Sequence, residues 1–125
     1  MKESIAHLHA LCEDWKRDLQ FYKDEIPVLR KRLEEVVSKN TSDDVLKNVE
    51  HFENKFKIMN LNYDELLHDI NLKKDTLSGQ AEAQAKYINV KMFEKDEEME
   101  SSMQDIASDF YDTKKSYYRF LSQVL

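Results

Sequence analysis

Ile5, Leu8, Cys12, Trp15, Leu19, Tyr22, Ile26, Leu29, Leu33 and Val36 follow one another at alternating steps of three and four residues, and every slot is apolar or aromatic. Two apolar positions in every seven draw one continuous stripe along a helix, as in coiled coils and long bundles. The spacing predicts a first helix over about residues 4–39.

Asn40, Thr41 and Ser42 then gather turn formers in front of Asp43 and Asp44. Either Thr41 or Ser42 suits an N-cap, and the two acids suit the positive end of a helix dipole. Val45, Val49, Phe52, Phe56, Met59, Tyr63, Leu66, Ile70 and Leu77 keep the same stepping, with Lys73 the polar occupant. Asn62 and Glu65 imitate a capping box, but the apolar phase runs through them unbroken, so one helix over 42–78 is predicted. Gly79 is the single glycine and reads as the residue just past that helix, since glycine tolerates positive φ. The chain reverses at or after it. Residues 79–89 read either as a linker or as a helical extension, because Ala81, Ala83 and Ala85 favour helix while Tyr87, Ile88 and Val90 suit an extended piece. A third helix over 90–124 carries Met92, Met99, Met103, Ile106, Phe110, Tyr117, Leu121 and Val124, with uneven steps at Asp96 and Thr113 that predict a shifted seam.

One glycine and one proline in 125 residues leave almost nothing for tight turns, hairpins or phosphate-binding loops. The 41% of hydrophobic residues is enough for a packed core, which sets disorder aside. The expectation is a single all-α domain over 1–125, an elongated antiparallel three-helix bundle running up-down-up with coiled-coil-like packing. Helices of this kind are roughly 54 Å long at 1.5 Å per residue. Lining up the first reversal pairs Val36 with Val45, Leu29 with Phe52, Tyr22 with Met59, Trp15 with Leu66 and Ile5 with Leu77. The third helix lies beside the first, with Tyr117, Phe120 and Leu121 against Leu33, Val36 and Leu46. Pro27 breaks the local rules by removing a helical hydrogen bond, yet Ile26 and Leu29 hold phase around it, so a single helix with Pro27 on its outer side is expected.

The formal charge of −6, from 19 basic and 25 acidic residues intermixed, disfavours nucleic acid and anionic membrane surfaces as partners. Charges recur too often for the ~20 apolar residues of a membrane span. A lone cysteine makes no internal disulfide, and Lys2, Glu3, His7 and His9 interrupt the start where an export signal needs an apolar run, so a cytoplasmic protein is expected.

Candidate chemistry is sparse. Glu65 and His68 have the Glu-x-x-His spacing of carboxylate-bridged di-metal bundles, but Leu66 and Ile70 hold the seam and turn that pair outward. His7 and His9, two apart, diverge on a helix, and Cys12 reads as a small buried hydrophobe. The acidic run from Glu94 to Glu100 reads as a solvated face, Met92, Met99 and Met103 as core, and Tyr117, Tyr118 and Phe120 as core at one end of the bundle. No catalytic residue, cofactor or metal is assigned. What remains are apolar residues off the seam: Phe21 and Val28 on one face, Ile58 and Leu61 on another, with Leu72, Phe93, Tyr111 and Leu125 elsewhere. Phe21, Val28, Ile58 and Leu61 are read as a secondary stripe for interaction. The expected function is that of a non-enzymatic bundle acting through protein–protein contacts, as a homodimer or an adaptor. The alternative is a metal-binding carboxylate and histidine bundle centred on Glu65 and His68.

The stretches 21–25, 32–41, 49–54 and 64–70, reading FYKDE, RLEEVVSKNT, VEHFEN and DELLHDI, resemble a family of small bacterial proteins, chiefly from Bacteroidetes. The likeness covers the first two helices. It implies a bacterial helical protein of the cytoplasm and carries over no functional residue.

Overall fold

The computed structural model describes residues 5–83 and 90–125, with side chains placed for 6–76 and 97–125. Three helices follow in order, α1 (Ile5–Lys39), α2 (Asp43–Ala83) and α3 (Val90–Val124), and the described residues contain no strand. The fold is the expected all-α bundle. Among the described residues, no helix is long and apolar enough to cross a membrane.

The first reversal is short because both helix ends are capped within it. The Asn40 side-chain amide donates to the Val36 carbonyl at 3.0 Å, satisfying one of the carbonyls that the end of α1 leaves open. Ser42 takes the N-cap position, its carbonyl accepting the Leu46 N–H at 3.0 Å, and Asp43 and Asp44 occupy the first turn of α2. Pro27 lies within α1 on an exposed side, and the helix passes through it as one element.

Leu8, Cys12, Trp15, Leu19, Ile26, Leu29, Leu33 and Val36 are all buried, as are Val49, Phe52, Phe56, Met59, Tyr63 and Ile70 of α2. Side chains of Ile5, Leu77, Met92, Phe93 and Asp96, all named above, lie outside the described residues, as does the segment 84–89. Three expectations need correction. Gly79 does not end α2, which continues to Ala83, and no glycine takes a positive φ. Ala81 and Ala83 are strong helix formers, and a glycine interior to a helix costs only about 1 kcal/mol. The register of α1 on α2 is about one turn from that expected, since the Tyr22 ring meets Tyr63, with centroids 5.7 Å apart, rather than Met59. The first reversal alone did not fix how far the two stripes slide. The seam of α3 is not shifted at Thr113, which is itself buried and fills the slot between Phe110 and Tyr117.

The three helices are not equally close. Cα atoms of α1 and α2 come within 8 Å of each other along much of the pair, whereas α3 stands off from both. Large rings span that wider gap. Tyr22 lies 4.6 Å from Phe110 between ring centroids, Phe52 lies 5.6 Å from Phe120, and Tyr117 packs edge-on against both Phe52 and Phe56.

Candidate functional site

Contacts between helices show which side of each helix faces which neighbour. On α1, Lys23 pairs with Asp64, Arg30 with Glu53 at 2.9 Å, and Glu13 with Lys74, so these side chains edge the α1–α2 boundary. Phe21, Glu25 and Trp15 reach the other way, to Phe110, Lys114 and Glu100 of α3. Lys55 of α2 pairs with Asp109 of α3 at 2.9 Å. Ile58 is one turn from Lys55 and so flanks the α2–α3 boundary.

Phe21 and Val28 are therefore separated from Ile58 and Leu61 by the width of α3. All four are more than half exposed, at 53%, 54%, 56% and 62% in that order. The single stripe read from the sequence is two patches on opposite flanks of α3, because the helical periods of α1 and α2 do not say on which side the third helix docks.

The α1–α3 flank is the richer of the two. Phe21, Glu25 and Val28 succeed one another at steps of four and three along α1, and Tyr111, Lys114 and Tyr118 at steps of three and four along α3. Residues at such steps share a helix face. The two rows are tied together across the groove. Lys114 Nζ lies 3.6 Å from a Glu25 carboxylate oxygen and stands 5.6 Å over the Phe110 ring and 5.9 Å over that of Tyr118. Phe21 rests edge-on against Phe110, with centroids 6.4 Å apart. Half of its ring is thus anchored while the other half meets solvent. Lys115 covers the Tyr111 ring at 5.2 Å.

Tyr111 and Tyr118 are 62% and 43% exposed, so Tyr118 belongs to this surface and not to the core end where its sequence neighbours place it. Tyr117 takes the seam, and a residue one step further round the helix points out along the groove. The signal was present in the spacing of Tyr111, Lys114 and Tyr118, but it acquires meaning only beside the matching row on α1.

Glu65 and His68 are both exposed on α2, and the described residues hold no group of three His, Cys, Asp or Glu side chains placed to share a metal ion. Cys12 is fully enclosed, and burial pushes its thiol pKa up, with the Lys73 and Lys74 charges opposing that shift. On the α2–α3 flank an open cleft of about 490 Å3 is lined in part by Leu66, Leu72 and Met99, with Asp69 and Glu98 beside them. Met103 is buried in the core, whereas Met99 lines this cleft.

Comparisons with protein-family models, with curated proteins and with solved structures give no match for this chain.

Proposed function

We propose that this chain is a non-enzymatic helical bundle that acts by protein–protein contact, as a homodimer or an adaptor, and that the α1–α3 flank is its contact surface. The observation that carries this reading is the pair of rows on that flank. Phe21, Val28, Tyr111 and Tyr118 expose apolar area around the Glu25–Lys114 ion pair. Aromatic side chains held in place before binding are the residue class that dominates contact energies, since little rotamer entropy remains to be lost. The resemblance of the first two helices to small bacterial proteins fits a bacterial cytoplasmic setting for such a module.

A photo-crosslinking residue placed at position 28 or 111, in the cells that make the protein, tests the reading. Discrete protein adducts from these two positions, and none from position 47 on the outer side of α2, are expected. Equal labelling at all three positions, or none at any, overturns it.

A further inference from the structure

The pattern on the α1–α3 flank also names a partner; this inference rests on the contact reading above. The flank has a centre, the Glu25–Lys114 pair. Along α1, Phe21 lies four residues before Glu25 and Val28 three after it, while Asp18 lies seven before and Arg32 seven after. Asp18, Glu25 and Arg32 therefore share one face over four turns, and Asp18 and Arg32 are both exposed. On α3, Tyr111 lies three residues before Lys114 and Tyr118 four after it. Helices α1 and α3 run in the same direction, because Trp15, Phe21 and Leu29 meet Glu100, Phe110 and Tyr117 in ascending order. The flank therefore reads acid, apolar, ion pair, apolar, base from one end to the other.

Such a surface complements itself when turned end for end. A two-fold axis that crosses both helices at the level of the Glu25–Lys114 pair, which is neutralised within its own chain, sets Phe21 of one copy over Val28 of the other and Tyr111 over Tyr118. It also brings Asp18 to Arg32, and the symmetry makes each of these contacts twice. A parallel two-fold arrangement would instead lay α1 of one copy on α3 of the other and leave Asp18 and Arg32 without each other. Arg17 lies 3.9 Å from Asp18 within the chain, a distance that leaves the carboxylate free to take a second partner.

The area is also of the right order. Three aromatic rings and a valine, each about half exposed, offer roughly 350 Å2 of apolar surface if a whole aromatic side chain is 150 to 250 Å2. An ordinary interface buries about 800 Å2 per partner, of which a little over half is apolar. We propose that the chain forms an antiparallel two-fold dimer, α1–α3 flank against α1–α3 flank, with Asp18 of each copy paired with Arg32 of the other.

Sedimentation equilibrium of the full chain from about 1 to 100 µM tests this, with circular dichroism to confirm that each variant stays helical. Asp18→Arg and Arg32→Asp should each weaken the dimer by about tenfold, by setting like charges opposite one another. The chain carrying both changes should recover to within about threefold of the original, because both pairs are then restored with reversed sign. Phe21→Glu should leave monomer only. A monomer throughout the range overturns the proposal, and so does a dimer in which the two charge changes add instead of compensating. The contact reading is judged separately: adducts at positions 28 and 111 to other proteins, from a chain that sediments as a monomer, would refute self-pairing and leave the contact surface standing.

Discussion

The seam between α1 and α2 and the docking of α3 onto that pair are built from different materials. Along the seam, Leu19, Ile26, Leu33, Val36 and Ile70 allow the two backbones to approach closely, and ion pairs such as Arg30 with Glu53 edge it. Helix α3 stands further off and is held by Phe110, Tyr117 and Phe120 reaching to Tyr22, Phe52 and Phe56. Aliphatic packing spreads stabilisation over many small contributions, whereas a few rings concentrate it, each burying 150 to 250 Å2. Rings that bridge a wide gap also leave neighbouring rings half outside it. The exposed row on α3 is thus a by-product of how α3 is attached.

Truncation at the two places should separate them. Tyr117 is fully enclosed, and its hydroxyl donates to the Leu29 carbonyl at 2.8 Å, so Tyr117→Ala removes both a core ring and a buried hydrogen bond. The expected loss is about 5 kcal/mol by urea unfolding. Trp15→Ala, which also breaks the indole bond to Glu100, should cost about 4 kcal/mol, and Leu19→Ala on the seam about 3 kcal/mol. A larger loss at Leu19 than at Tyr117 would break the comparison.

Alkali should act on the same division. Burial pushes the Tyr117 pKa up to about 12 from 10.0, and burial also raises those of Tyr63 and Tyr22. The unfolded chain ionises its tyrosines first. Stability is therefore full below pH ~10 and falls as the pH rises toward 12, by on the order of 3 kcal/mol for Tyr117 alone. Unfolding curves at pH 9 and 11.5 check this, and Tyr117→Phe should flatten the loss.

How far the fold was legible follows from the same contrast. Alternation of threes and fours named nearly every buried residue of α1 and α2, because a helix has one period and the seam uses it. The bridging of α3 has no comparable period. Thr113 fills a core slot where the uneven step predicted a shifted seam, and Tyr118 sits outside although Tyr117 beside it is enclosed. Which flank received Phe21 and which received Ile58 depended on the side from which α3 approaches, and no spacing within α1 or α2 encodes that. Gly79 was misread for a different reason: a glycine marks a helix end only when its φ is positive, and here the alanines after it continue the helix.

Pro27 offers a smaller test. It is exposed at the α2-facing edge of α1, beside Arg30 and Glu53 and away from α3, and its missing N–H leaves the Lys23 carbonyl without the usual intrahelical donor. Pro27→Ala should restore that bond and raise stability by about 1 kcal/mol, read from the thermal midpoint. A marked loss would show that the proline sets the path of α1 past α3, and that the two regions are coupled through it.

The smallest effect is the most discriminating, because two buried tyrosines differ in one hydrogen bond. Tyr117 finds the Leu29 carbonyl, whereas the Tyr63 hydroxyl has no partner, alone among buried side-chain polar atoms of the described residues. The Asp109 carboxylate is close enough to raise the Tyr63 pKa but is bonded to Lys55 at 2.9 Å. A buried donor left unmade costs about 1 to 3 kcal/mol, and removing it relieves that cost without opening a cavity of any size. Tyr63→Phe should thus be neutral or stabilising by up to about 1 kcal/mol, while Tyr117→Phe should lose about 1 kcal/mol. Equal losses for the two changes would mean that Asp109 leaves Lys55 and accepts from Tyr63 in solution. In that case the docking of α3 would rest on a polar tie at its middle as well as on its rings.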